Sequence, residues 1–314
     1  MRRSAISWLV VFAILIGGFV ASIAALNADL YSAHGFVRTY LDALARKDSA
    51  AALAIDGVAV EGTDDLLTDD SLSDLTALTL VRDTQNADGT HTVVYDYAIG
   101  GEAGRSEFHV QHSGTRFGVF NDWSFVASPI STIAVSVSND NRFDVNGTEL
   151  DEAGAYLVFT PGLYIVGHTS TFLEAEPAPV AMIEPGTIVD AAITVQANDA
   201  FISTVQDEVD GYLQDCAAQK VLQPTGCPFG RPITNQVDGE PIWSITTYPL
   251  IEIEPGDESG EWRVNDAIGT ANLDVAVRSL FDGTVEQRND AVPFEVSYRI
   301  TFDGNKLVID GVSF

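Results

Sequence analysis

Two cysteines, five histidines and several acidic turns are the groups in this 314-residue chain that could do chemistry. The cysteines, Cys216 and Cys227, bracket the stretch "CAAQKVLQPTGC" and are the only two present. A lone pair this close, in an oxidising exterior, predicts a disulfide whose loop is worth about 2 to 3 kcal/mol on the chain-entropy estimate. Zinc is the weaker alternative, because a tetrahedral site needs two further ligands and no histidine lies near the pair in sequence. The stretch "NDNRFDVNG" offers Asp140, Asn141, Asp144 and Asn146, oxygen donors of the kind calcium takes. It lacks the glycine and the terminal glutamate at EF-hand spacing, so it reads as a loop. On "THTVVYDYAIG" the strand alternation sends Tyr95 and Tyr97 to one side and Asp96 to the other. His109 and His112 likewise point to opposite faces, which excludes a simple two-histidine clamp on one strand. No Gly-rich phosphate loop, HExxH or GxSxG occurs. The residues therefore assign no catalytic, cofactor-binding or metal-binding role, and the expected cofactor is none.

The charge narrows the partners. Forty-five acidic residues face sixteen basic ones, a formal net charge of −29. A surface this acidic repels nucleic acid and anionic headgroups, so nucleic acid is not an expected partner. The segment "AISWLVVFAILIGGFVASIAAL", Ala5 to Leu26, carries no charge. At 1.5 Å per residue its length crosses a hydrocarbon core of about 30 Å. Arg2 and Arg3 before it hold the N-terminus inside, which puts everything after Asn27 outside. A cleaved signal peptide is the competing reading, since "SIAALNA" has the small residues a peptidase takes. The apolar run exceeds the usual signal core, which favours an anchor that stays attached.

The elements beyond the anchor follow from periodicity. "FVRTYLDALARKD" carries Phe36, Val37, Tyr40, Leu41 and Leu44 at helical spacing. The alternating stretches "LTALTLVRDT", "THTVVYDYAIG", "GRSEFHVQHSG" and "FGVFNDWSFVAS", with glycine-containing turns between them, predict a four-stranded antiparallel meander. A second helix is predicted after Asn198 or Asp199, with Ile202, Val205, Val209, Tyr212 and Cys216 as its apolar stripe. Strands follow at "IWSITTYPLIEIEP", "TANLDVAVRSLF", "VPFEVSYRITFDG" and "NKLVIDGVSF". Between the two units, residues 131–195 read all-β, with turns at "VNGT" and at "TPGLY", the latter of type II with Gly162 at positive φ. The tails "FNDWSF" and "VIDGVSF" then read as the last strands of two copies of one helix-then-sheet unit. Phe120 and Ile309 are expected at the centres of their sheets, facing their own helices.

The helix "FVRTYLDALARKDSAAALAI" and the meander after it resemble the nuclear transport factor 2-like (SnoaL-like, cystatin-like) α+β superfamily over roughly residues 30–126, and more weakly over 198–314. "VNGTEL" with "FTPGLYIV" looks like a PEGA-type β-module. The order of anchor, sheet domain, β-module and second sheet domain is similar to the extracellular part of the TcaA family of bacterial envelope proteins. In this sequence no zinc ribbon precedes the anchor. The resemblance implies an α+β chain: an anchor with a short cytoplasmic tail over 1–28, a cystatin-like domain over 29–128, a small β-sandwich over 129–196 and a second cystatin-like domain over 197–314. It implies a single-pass protein of the cell membrane with extracytoplasmic C-terminal domains. Its expected role is non-catalytic, binding another protein or a cell-wall component. Such cone-shaped folds can also hold a pocket between helix and sheet, and here Tyr40, Tyr95, Tyr97 and Trp123 would line it, with Asp96, His109 and Asp122 nearby. A pocket of that kind would bind or convert a small apolar ligand; the same tyrosines and Trp123 can instead simply fill the core.

Overall fold

The computed structural model describes residues 2–304 and 306–311. Helix α1, Arg2–Ala28, contains one window, Val11–Ala28, long and apolar enough to cross a membrane, with a mean hydropathy of 2.2 and none of it buried. Its composition and place near the N-terminus suit an anchor or a signal sequence alike. The chain divides into two compact units. One comprises Met1–Ser136, Arg142–Gly167 and Pro177–Ile193, and the other comprises Val137–Asn141, His168–Glu176 and Thr194–Phe314.

In the first unit, helix α2 (Ala33–Ala45) begins where the Ser32 side chain accepts from the Gly35 N–H at 3.0 Å, and the short α3 (Ser49–Leu53) begins at an Asp48 cap. Both caps satisfy N–H groups that a helix start leaves without partners. Strands β1 (Leu75–Gln85), β2 (His91–Ile99), β3 (Glu102–Arg116) and β4 (Phe120–Phe125) form the expected antiparallel meander in chain order. Val37, Tyr40, Leu41 and Leu44 of α2 pack into one core with Val93, Tyr95, Tyr97, Phe108, Val110 and Phe125 of the sheet. The Tyr40 ring stands edge-on to Phe125 at 5.3 Å and to Phe108 at 6.2 Å. Gly104 lies opposite Tyr97 in the register, and a Cβ on it would sit 2.3 Å from the Tyr97 ring. The ring covers the glycine, so no larger residue fits there.

The middle strands are β5 (Ile130–Ser138), β6 (Phe143–Val145), β7 (Thr148–Leu150), β8 (Gly154–Phe159), β9 (Gly162–Thr169), β10 (Leu173–Met182), β11 (Ile188–Thr194) and β12 (Gln196–Ala197). They run in the orders β11-β5-β8 and β10-β9-β6-β7, and β12 pairs with the start of β10. The "VNGT" turn is the expected tight hairpin between β6 and β7, with Asn146 and Gly147 both at positive φ, 51° and 85°. The "TPGLY" turn is not of type II. The Thr160–Pro161 peptide is cis and Gly162 has no positive φ. Gly162 is required for another reason, because the Tyr164 ring lies 2.4 Å from where its Cβ would be.

In the second unit, α4 (Asp199–Ala217) starts at Asn198, whose side chain accepts from the Phe201 N–H. Strands β13 (Gln236–Val237), β14 (Ile242–Thr247), β15 (Glu254–Pro255), β16 (Trp262–Arg278), β17 (Val285–Asp303) and β18 (Lys306–Gly311) form one sheet. Its order is β13-β16-β17-β18, with β14 and β15 also paired to β16. The buried stripe of α4 is Phe201, Val205, Val209, Leu213 and Cys216. Ile202 is half-buried and Tyr212 is 40% exposed, so the expected stripe is rotated. Phe201 sets the rotation, since its ring meets Phe302 at 5.4 Å, Phe172 at 5.8 Å and Trp262 at 6.0 Å.

The α+β class is corrected by the proportions: helix makes up 19% and strand 47%, so the chain is mainly β. Apart from α1 the helices stay at 13, 5 and 19 residues, while β16 and β17 reach 17 and 19. Both strands start earlier than the expected "TANLDVAVRSLF" and "VPFEVSYRITFDG"; β17 does so through Val285–Asp290, a polar segment with no buried face and so no alternation to announce it. The expected equivalence of the two tails also changes. Phe120 is half-buried and stacks on Tyr31 at 4.4 Å, and it is Phe125 that meets α2. Ile309 of β18 is half-buried and pairs with Ile300 of β17, while residues 312–314 of that tail lie outside the described residues.

Candidate functional site

A cleft of about 420 Å³ opens in the first unit at the end of the sheet where α1 finishes. Its chemistry comes from three elements. The N-terminus of α2 contributes His34, β1 contributes Asp83, and β2 contributes His91, with Trp123 of β4 behind them. Asp83 sits between the two imidazoles, 2.7 Å from His91 Nδ1 and 3.0 Å from His34 Nδ1. His34 Nε2 lies 3.8 Å from the exposed carboxylate of Asp29. The rings of His91 and His112 stand edge-on to Trp123, at 4.9 and 5.6 Å, and the Trp123 indole N–H donates to the Tyr31 carbonyl at 3.0 Å. Burial pulls the Asp83 carboxyl pKa upward and is the largest single influence on it. The hydrogen bonds and charges of His91 and His34 together outweigh it and hold the carboxyl below its ordinary value.

The arrangement presents two imidazoles oriented by one carboxylate. Each histidine spends Nδ1 on Asp83, which fixes both rings. The hydroxyl on the rim, Ser32, is committed to capping α2 and donates to the Asp29 carbonyl. Among the described residues no group of three or more His, Cys, Asp or Glu is placed to hold a metal ion.

Of the residues expected to line a pocket, Trp123 borders this cleft, whereas Tyr40, Tyr95 and Tyr97 are 0%, 2% and 3% exposed within the core. Their hydroxyls are used locally. Tyr40 donates within reach of the Thr160 and Pro129 carbonyls at 2.9 and 3.1 Å, Tyr95 donates to the His34 carbonyl at 3.0 Å, and Tyr97 pairs with the Ser106 hydroxyl at 2.7 Å. Burial raises all three phenols, that of Tyr95 to about 12, so none exchanges its proton near neutrality. Asp96 pairs with Arg105, Asp122 with Arg116, and His109 lies beside Glu107; Asp96 and Asp122 are half-buried and His109 is exposed. Asp144 accepts from the Gly147 N–H, an ordinary turn contact.

Sequence reasoning missed His34, Asp83 and His91. A usable signal existed in the β1–β2 hairpin. Gln85 pairs with His91, which makes Asp83 and His91 diagonal neighbours across the two strands. His34 carries no comparable signal, because α2 brings it in from 49 residues away.

In the second unit the two cysteines are joined as a disulfide, Cys216–Cys227, with Cα atoms 5.8 Å apart. It ties the last turn of α4 to the loop after it. No protein-family model, curated protein or solved structure matches the chain.

Proposed function

We propose that this is a non-catalytic, membrane-anchored extracytoplasmic protein of the cell envelope, organised like the TcaA-type proteins, whose β-rich exterior binds another protein or a cell-wall component. The observation that carries the reading is the filled space between α2 and the first sheet. Tyr40, Phe108 and Phe125 close on one another there with relative exposures of 0%, 1% and 4% and leave no room for an internal ligand. An enzyme or carrier of the cone-shaped type would hold a cavity at that place, with a carboxyl raised by burial; Asp83, the half-sheltered carboxyl of the cleft, is lowered instead. The disulfide supports an oxidising compartment, and the apolar α1 supports attachment through the membrane with the β-rich part outside. A net charge of −29 disfavours nucleic acid and suits a neutral or basic partner.

A second reading, small-ligand binding, is favoured by the His34–Asp83–His91 cleft, whose volume falls within the usual ligand range of roughly 300 to 1,000 Å³. Cross-linking of the full chain in native membranes, with purified wall material tested in parallel by co-sedimentation, separates the two. The proposal expects a saturable interaction, reproduced with the purified partner and unaffected by Trp123→Ala. Stoichiometric binding of an apolar probe that Trp123→Ala abolishes, with no saturable protein or wall interaction, would replace it with the second reading.

A further inference from the structure

We infer that the β3–β4 hairpin tip, Arg116 to Val119, is a lipid-contacting foot that enters the acyl–headgroup boundary beside α1. The inference rests on the reading of α1 as a retained membrane span. Its first support is a clamp. The Asn27 side chain, in the last turn of α1, donates to the Val119 carbonyl at 2.8 Å and accepts from the Asn121 N–H at 2.9 Å. One amide therefore holds the start of β4 on both sides of Phe120, at the level where the apolar helix ends.

The direction of the tip follows from the contacts beyond the clamp. Asn27 meets residues 119 and 121, while Tyr31 stacks on Phe120 at 4.4 Å and accepts from Trp123 at 3.0 Å. The chain leaving α1 and the strand leaving the hairpin thus advance together, away from the span. The tip must point the other way, back along α1. Ile23 agrees: it lies one turn before Asn27 on the same helix face and is half-buried, although its neighbours Ser22 and Ala24 are exposed.

What the tip carries there is apolar. Phe117 is 87% exposed and Val119 is 40% exposed. An isolated phenylalanine in water on a soluble surface calls for no explanation. Held beside the last turn of a membrane span, it occupies the depth where aromatic side chains anchor proteins to bilayers. The nearby charges oppose an electrostatic attachment. Arg116 is paired with Asp122 at 3.3 Å, and Asp29 is fully open to solvent. The contact is therefore with lipid tails and the glycerol region and does not depend on anionic headgroups.

Site-directed spin labelling of the full chain in phosphatidylcholine nanodiscs tests this, because the Cys216–Cys227 bond leaves an introduced cysteine as the sole thiol. Phe117→Cys carries the test label, Glu102→Cys at the opposite end of β3 gives the aqueous reference, and Phe12→Cys reports on α1. The ratio of oxygen to nickel-chelate accessibility at position 117 should exceed that at 102 several-fold, and should not change when phosphatidylglycerol is added. Equal ratios at 117 and 102, with position 12 in hydrocarbon, would overturn the foot while leaving the anchor intact. A water-like ratio at position 12 would overturn the anchor reading and the foot with it. A response at 117 that appears only with phosphatidylglycerol would also overturn the inference, since it would mark charge attraction.

Discussion

Phe120 and Phe125 sit on the same short strand, and the structure assigns them unequal energies. Phe125 is 4% exposed and ringed by Phe36 at 5.0 Å, Tyr40 at 5.3 Å and Phe108 at 6.0 Å, so Phe125→Ala removes the centre of an aromatic cluster. A fully buried phenylalanine truncated in this way costs about 3 to 5 kcal/mol, since the surrounding rings cannot collapse into the space. Phe120 keeps a single stacked partner, Tyr31, and is half in solvent. Phe120→Ala should then cost about 1 to 2 kcal/mol, most of it the stacked pair and half a side chain's burial. For units of this size, the first change lowers Tm by roughly 6 to 20 °C and the second by roughly 2 to 8 °C. Calorimetry of the full chain in detergent reads both, with the transition of the second unit as an internal standard that neither variant should move. Equal losses from the two substitutions would refute the assignment of Phe125, and not Phe120, to the contact with α2.

Three further outcomes follow from named contacts. Thiol alkylation of the denatured, unreduced chain should label neither Cys216 nor Cys227, and Cys216→Ser should lower the stability of the second unit by about 2 to 3 kcal/mol, as expected for so short a loop. Asp83 is held below its ordinary pKa, so its stabilisation is fully present above the unfolded value of about 3.9 and is lost as pH falls through the lower folded value; Asp83→Asn should flatten pH-dependent unfolding of the first unit in that acidic window, and an unchanged profile would count against the two imidazole contacts. Gly104→Ala and Gly269→Ala should each destabilise their own unit by about 1 to 3 kcal/mol, because the rings of Tyr97 and Phe294 occupy the added methyl's place, and Tyr97→Leu or Phe294→Leu in the same chain should recover much of the loss.

The parts of this fold that sequence exposes are those where burial follows a short local period. "SEFHV" in β3 alternates buried and exposed and "FVRTYLDAL" repeats every three to four residues, and both elements form where the pattern places them. Asn198 caps α4 as expected, yet the helix turns Phe201 and Leu213 inward in place of Ile202 and Tyr212. The cause is non-local: Phe172 and Phe302 meet the helix from elsewhere in the chain and decide which neighbouring apolar residue is covered. The start of β17 escapes for the opposite reason: Val285–Asp290 is polar and has no buried face, and it is held by backbone pairing to Leu273–Arg278 of β16, whose own Leu273, Val275 and Val277 are buried in alternation. The cleft depends on three segments meeting. Only the Asp83–His91 diagonal lies within reach of a register argument; His34 requires knowing how α2 lies on the sheet.

The central claim, that a β-rich exterior remains attached through α1, is tested most directly by the N-terminal sequence and intact mass of the protein taken from the membrane fraction. The apolar segment Val11–Ala28 should still be present, with an unreduced mass two hydrogens below the reduced form for the single disulfide. A mature chain beginning near Ala25 would contradict it.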